Sequence, residues 1–321
     1  MTVCILGAGA FGTALAVALS GTNDVRLRGR NAEKMAEIES TRENPKLPGA
    51  VLGKNIKIIS DTRVAIQGVD FILSVIPLQS TSAMLDSVVR HFEGQPLIGC
   101  SKGLDLKTGQ GGYSILKASY PNGPIGILTG PSFAADIARG LPTALTLASK
   151  DTQAVSKWQT DLSNETLRLY VSHDPIGAEV GGALKNVIAI ACGATIGAGF
   201  GESARAALIT RGQAEIMRYA THLGAHPETL VGLSGFGDLC LTCTSNKSRN
   251  YCYGHSLGQG KDFDPSITVE GKATALALVP IMHRLNIDMP ITNAVAGLCS
   301  GTVTVSQALA TLMARPLRKE T

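Results

Sequence analysis

Neither sign of charge dominates this chain. Its 29 basic and 25 acidic residues leave a net charge of +4, too balanced to call for nucleic acid or a membrane surface as partner. No uninterrupted apolar run reaches the ~18 residues that span a bilayer. The longest, Val187 to Phe200, is rich in Gly and Ala and reads as a buried core helix, so no membrane insertion is expected. The N-terminus shows no charged segment leading into an apolar one, and no secretory signal is expected. The seven cysteines are scattered, with Cys4, Cys100 and Cys192 inside apolar runs, as suits reduced core residues of a cytoplasmic protein. Cys240 and Cys243 form one C-x-x-C near Cys252 and His255, but without a second pair no metal is expected. Internal repeats and low-complexity tracts are also lacking.

What is present starts at once. Val3 to Leu6 reads as a buried strand, Gly7, Gly9 and Gly12 follow in G-x-G-x-x-G spacing, and Thr13 to Leu19 reads as a helix. That context turns a weak pattern into a dinucleotide-binding fingerprint. The first glycine permits the turn, the second clears the path of a pyrophosphate, and the third lets helix pack on strand. The helix N-terminus then favours the anion. An acidic residue about 20 positions on holds the ribose 2′-hydroxyl in NAD enzymes. Here the second strand, Asp24 to Leu27, instead runs into Arg28-Gly29-Arg30. Cations at that point suit a 2′-phosphate, so NADP(H) is preferred, with NAD(H) as the alternative.

A length of 321 residues allows about two domains, and the 44% of apolar residues suffices for large cores. Strand signals recur at Phe71–Ile76, Leu97–Cys100, 126–128, Ala144–Leu147 and Leu167–Val171, with helical stretches such as Thr81–Phe92 and Ala154–Leu162 between them. This alternation predicts a doubly wound, Rossmann-type parallel sheet over residues 1–174. From His173-Asp174-Pro175 onward strand signals fade. Helices are predicted over Ile176–Ala198, Ala204–Leu223, Lys272–Leu285 (kinked or split at Pro280), Ile291–Leu298 and Val305–Met313. Residues 175–321 are therefore expected to form an all-α second domain.

Several polar residues stand where packing alone would not put them. Lys185-Asn186 interrupts the apolar helix Val180–Ala191; such a lysine is desolvated, paired or functional, or it snorkels at a helix edge. Asp238 follows Gly235-Phe236-Gly237. Ser248-Arg249-Asn250 offers a hydroxyl, a guanidinium and an amide in succession, which fits an oxyanion or is simply a polar loop. Lys102 follows a strand, in the loop position that faces ligands, and Gly130 in Gly130-Pro131-Ser132-Phe133-Ala134 would let backbone approach one. Glu270 sits at a predicted helix start, where the dipole favours a carboxylate.

These segments together resemble the bacterial NAD(P)-dependent glycerol-3-phosphate dehydrogenases. The matching stretches are GAGAFGTALA at 7–16, SKGLD at 101–105, GPSFA at 130–134 and GGALKNVIAIACG at 181–193. RAALITRG at 205–212, GFGDLCLTCTSNKSRN at 235–250, VEG at 269–271 and MPIT at 289–292 complete them, in the family's order. The resemblance implies that Lys185 is the proton donor and acceptor and that Lys102 touches both cofactor and substrate. It implies that Gly130, Asp238, Ser248, Arg249 and Asn250 contact glycerol 3-phosphate, and that Ala10, Phe11, Arg30, Ala134, Glu270 and Arg249 line the cofactor. It further implies reduction of dihydroxyacetone phosphate to sn-glycerol 3-phosphate, a supply of phospholipid synthesis, and a homodimer. The chain departs from the family pattern in three places. Tyr251-Cys252 stands where two basic residues usually follow Asn250, the segment between Gly260 and Glu270 is short, and Asn44-Pro-Lys-Leu-Pro48 lacks one residue. Two other readings remain open on residues alone: a reductase of carboxylate substrates such as a 3-hydroxyacid or a ketopantoate-like compound, and a non-catalytic NADPH sensor.

Overall fold

The computed structural model describes residues 1–314; residues 315–321 of the expected second domain lie outside the described residues. The first part of the chain runs β1 (Thr2–Leu6), α1 (Ala10–Leu19), β2 (Asp24–Arg28), α2 (Ala32–Thr41), β3 (Ile56–Ile59), α3 (Thr62–Ile66), β4 (Phe71–Ser74), α4 (Thr81–Val88), β5 (Leu97–Gly99), α5 (Gly112–Ser119), β6 (Ile125–Thr129), α6 (Ala134–Ala138), β7 (Thr143–Ala148), α7 (Thr152–Leu162) and β8 (Leu167–Ser172). The strands form one eight-stranded sheet in the order β3-β2-β1-β4-β5-β6-β7-β8. β1 is buried from both sides, which is why it reads as a continuous apolar run. Val3 and Ile5 pack with Leu15 and Leu19 of α1, whereas Cys4 and Leu6 pack with Ile66 and Leu85 on the other face. The strand order reverses between β1 and β4, so a crevice for ligands opens at their carboxyl ends.

The sheet is not wholly parallel. β7 runs antiparallel to β6, and β8 pairs parallel to β7. The connection after β6 does not cross back to the amino edge of the sheet. Its short helix α6 packs against α1, and the chain therefore enters β7 from the edge where β6 ended. β3 and α2 are elements the sequence pattern did not reveal. β3 is a short edge strand that leaves Lys57 exposed, and α2 buries only Met35 and Ile38.

From Pro175 on, all described elements are helical: α8 (Pro175–Gly197), α9 (Gly201–His222), α10 (Pro227–Leu230), a π-type turn (Leu233–Gly237), α11 (Asp238–Thr244), α12 (Arg249–Gly258), α13 (Glu270–Arg284), α14 (Pro290–Ser300) and α15 (Val305–Met313). The stretch around Ser248-Arg249-Asn250, for which a simple polar loop is the alternative to an oxyanion site, is the start of a helix, because the hydroxyl of Ser248 caps it by accepting the Tyr251 N–H at 3.2 Å. Pro280 does not split its element into two; it lies inside α13 on an exposed face, and the residue four positions before it, Leu276, is exposed as well. The missing hydrogen bond therefore faces solvent.

α8 is the axis of this half, with 20 of its 23 residues buried. By length and composition it could cross a bilayer, but here its apolar surface is covered by α9, α11, α12 and α13. It meets α12 at backbone distance. A Cβ on Gly193 would stand 2.1 Å from the Tyr251 carbonyl oxygen, and one on Gly254 would stand 2.0 Å from that of Ile190. Neither helix can carry a side chain there. Gly254→Ala is expected to force the two apart and cost about 1–3 kcal/mol, read as a lower midpoint of thermal unfolding; an unchanged midpoint would show that the helices tolerate separation.

Candidate active site

The glycine turn after β1 is shaped by three different constraints. Gly7 has φ +129°, a conformation that L side chains avoid, and a Cβ on Gly12 would lie 1.9 Å from the Gly7 carbonyl oxygen. At Gly9 a Cβ would meet nothing within 4 Å. Open space therefore lies over the N-terminus of α1, whose N-cap is Gly9 itself with no side-chain cap and no acidic residue in the first turn. Its amides remain free for an anion. The turn is held from outside the motif by buried Asn44, whose amide donates to the Ala8 carbonyl at 3.2 Å and to Thr13 Oγ1 at 2.7 Å. Ala10 and Phe11 share an apolar cluster with Ala134, Leu47 and Ile137, so α6 is brought beside the glycine turn.

The two arginines after β2 differ. Arg28 is the last residue of the strand and its Nε donates to the Ser60 carbonyl at 3.3 Å, which commits it to the β3 edge. Arg30 is exposed beyond it.

The loops at the far carboxyl ends meet the helical half around a carboxylate. Asp238, the first residue of α11, has no exposed side-chain surface. Lys102 donates to its Oδ2 at 2.7 Å and to the Gly130 carbonyl oxygen at 3.0 Å. Lys185, on α8, donates to Asp238 Oδ1 and to Thr242 Oγ1, the latter at 2.8 Å. The Thr242 hydroxyl is in turn oriented because it donates to the Asp238 carbonyl, one helical turn back, at 2.7 Å. An ammonium has three N–H groups. Two on Lys185 are thus occupied, and one remains for another acceptor. Two cations around one anion also leave a net positive centre. Burial pushes the Lys185 amine down from its ordinary value, to about 7; Asp238 opposes this, and the neighbouring Lys102 adds to it.

The structure thus gathers Lys102, Gly130, Lys185 and Asp238 at one point. Ser248, Arg249 and Asn250 form the beginning of α12. Asn250 Oδ1 accepts the Gly271 N–H at 2.9 Å, which docks the start of α13, where Glu270 is the first residue, against α12. The amide nitrogen of Asn250 keeps its donors. Arg249 is exposed. At the positions of the missing basic pair, Tyr251 is buried against α8, and Cys252 Sγ donates to the Asn246 carbonyl at 3.0 Å. Among the described residues no group of three or more His, Cys, Asp or Glu could hold a metal.

Sequence reasoning missed Thr242, although its spacing of four from Asp238 on one helix was visible. It also missed Glu179, a carboxylate that interrupts the same apolar helix as Lys185. Glu179 is buried and accepts the Tyr113 N–H at 2.6 Å, capping α5 from across the molecule. The Lys102 loop ends there. Leu104 of that loop packs into the core of the helical half, and a Cβ on Gly111 would fall 2.0 Å from Glu179 Oε1. One stripe of α8, spaced by three, therefore does three things. Glu179 anchors the loop, Gly182 leaves room for the Lys102 stem and the Thr129 hydroxyl, and Lys185 supplies the amine.

Models of the NAD-dependent glycerol-3-phosphate dehydrogenase N-terminus and C-terminus match residues 2–155 and 174–310. The chain is 51% identical over 321 residues to the glycerol-3-phosphate dehydrogenase (NAD(P)+) of Roseobacter denitrificans, covering 100% of both chains. It is 50% identical to the enzyme of the same name from Paracoccus denitrificans, again over 100% of both. The crystal structure of glycerol-3-phosphate dehydrogenase from Coxiella burnetii superposes with a TM-score of 0.92 at 33% identity, covering 98% of this chain and 99% of that one.

Burial, with Asp174 nearby, pushes the Glu179 carboxyl up from 4.5 to about 8, against the pull of the Tyr113 N–H. The folded protein therefore holds a proton there that the unfolded chain releases, and this contribution to stability is lost as pH rises from about 4.5 through 8. Glu179→Gln keeps an acceptor and removes the titration. The melting temperature of wild type is expected to fall relative to that variant across this window; a constant difference would show that Glu179 carries no raised pKa.

Proposed function

The chain belongs to the NAD-dependent glycerol-3-phosphate dehydrogenase family, and we propose that its chemistry runs through Lys185, Lys102 and Asp238. It is an oxidoreductase that reduces dihydroxyacetone phosphate to sn-glycerol 3-phosphate with NADP(H) or NAD(H). A carboxylate reductase and a non-catalytic NADPH sensor give way to this assignment.

The residues present fit a dinucleotide. The uncapped amides of α1, with open space over Gly9, would hold the pyrophosphate between Gly7, Ala10, Phe11 and Gly12. Exposed Arg30 would meet a 2′-phosphate, which makes NADP(H) the preferred form. Ala134 stands beside Ala10 and Phe11, and Glu270 and Arg249 would complete the wall from the helical half. When bound, the nicotinamide supplies or accepts the hydride.

The protein's part is charge and position. As the substrate ketone is reduced, negative charge grows on its oxygen, and a donor meeting it there stabilises the transition state more than the ground state. The observation that carries this reading is the Lys185 amine: buried, fixed by two acceptors, and left with one N–H to give. An amine held near a pKa of 7 can deliver that proton in reduction and take it back in oxidation. Lys102 adds positive charge, and Asp238 aims both amines while it keeps Lys185 from losing its proton too early. The phosphate end is remote from the reacting carbon. Ser248, Arg249 and Asn250 at the start of α12 would hold it, so that phosphate binding orients the carbonyl.

Residues 1–174 would thus serve the cofactor and residues 175–321 the substrate. As the resemblance implies, the protein would act as a homodimer whose product feeds phospholipid synthesis; its scattered cysteines and short apolar runs suit a cytoplasmic protein not inserted in a membrane.

Lys185→Ala is expected to lower kcat by about a hundredfold or more in a dihydroxyacetone phosphate assay with NADPH. In wild type the reductive kcat should fall as pH rises through about 7, and the oxidative kcat should rise. Wild-type turnover in the variant would remove Lys185 from the reaction. Arg249→Ala should chiefly raise the KM for dihydroxyacetone phosphate, and an unchanged KM would take Arg249 out of the phosphate site.

A further inference from the structure

Polar ties join the two halves of the molecule at buried positions, Lys102 to Asp238 and Glu179 to the Tyr113 amide. A further tie is exposed. Lys247 Nζ lies 2.8 and 3.1 Å from the two carboxylate oxygens of Asp136, and 5.6 Å from the centre of the Phe133 ring. Its partners are distant in sequence but adjacent to the site on both sides. Lys247 immediately precedes Ser248, the N-cap of α12, and Asp136 lies in the first turn of α6, two residues after Ala134. Phe133, the N-cap of α6, belongs to the same turn as Gly130, whose carbonyl takes Lys102.

We infer that Lys247 and Asp136 form a clasp across the mouth of the cleft, positioning the phosphate-holding start of α12, which helix packing already fixes to Lys185, relative to Lys102 and the cofactor-facing turn of the other half. Resting on the function proposed above, the clasp adds residues that touch neither substrate nor cofactor but set the gap the substrate must span. A three-carbon phosphate has little slack, and a small displacement of its phosphate anchor misplaces the carbonyl. The pair suits a reversible role. The Lys247 side chain is 55% exposed and that of Asp136 25%, so water and salt weaken the attraction and the cleft can open for exchange. The competing role for Lys247 is a free cation that attracts the substrate phosphate, in compensation for the missing basic residues at 251 and 252. Its engagement by both oxygens of Asp136 argues against this.

Asp136→Asn separates the two roles, because they predict opposite signs. If the pair is a clasp, the variant raises the KM for dihydroxyacetone phosphate about two- to fivefold, the range of an exposed ion pair. The melting temperature and the KM for NADPH should stay as in wild type. The exchanged pair Asp136→Lys with Lys247→Asp should bring the KM back toward wild type. A lower KM in Asp136→Asn means that Lys247 was freed to serve the phosphate and overturns the clasp, as does an unchanged KM or a failure of the exchanged pair to rescue. Absence of any dihydroxyacetone phosphate reduction by wild type would instead sink the reading of the site on which the clasp rests.

Discussion

Asp238 has no contact with solvent, and an unpaired carboxylate in that position would be too costly to keep. It is tolerated because a lysine from each half of the molecule donates to it, Lys102 from the loop after β5 and Lys185 from α8. Removing one partner of such a buried pair typically costs about 3–5 kcal/mol, since the other charge is left uncompensated. The arrangement therefore ties stability to placement: the halves dock correctly only when both amines reach the same carboxylate. The lysines cannot be brought together without an anion between them, and an anion free in solution would compete with substrate. A buried aspartate solves both problems and leaves a net positive charge for the reacting oxygen.

α8 is the frame on which this rests. Along one stripe it presents Glu179 to the end of the Lys102 loop, Gly182 to the Lys102 stem, and Lys185 to Asp238. About three turns beyond Gly182, Gly193 lets α12 approach at backbone distance, as Gly254 does in return. The start of α12, with Ser248, Arg249 and Asn250, is thereby held at a set position relative to the amine of Lys185. Rigid helix packing does here what a loop could not, because interlocked backbones have no rotamers through which to drift. The exposed contacts at the cleft mouth are of the opposite kind, weak and easily opened, and the two kinds together give a fixed reaction centre with an accessible entrance.

Local patterns carried the sequence reading well where they carried meaning by themselves. The glycine spacing after an apolar strand, the alternation of elements, and the long small-residue helix each follow from backbone sterics and periodicity, which act over a few residues. Elsewhere neighbours in space decide. β3 is an edge strand and α2 a mostly solvated helix, so neither carries a strong apolar signature. The polarity around Ser248 suits an oxyanion site or a loop alike, and only the fold shows that the serine caps a helix. The inversion of β7 depends on α6 packing against α1, which no local pattern contains.

Residue order alone determined the pieces: a turn that must accept an anion, a lysine set in an apolar helix, a polar trio suited to phosphate, and the family to which the set belongs. Tertiary structure alone decided their pairing. Lys102 and Asp238 are separated by 136 positions, and Lys185 and Asp238 by 53. The docking of the helical half on the sheet determined that Asp238 is enclosed and that Glu179 anchors a loop. The physical reason is that periodicity and propensity are properties of neighbours along the chain. Burial, the resulting fall in the Lys185 pKa, and the choice of hydrogen-bond partner are properties of neighbours across it.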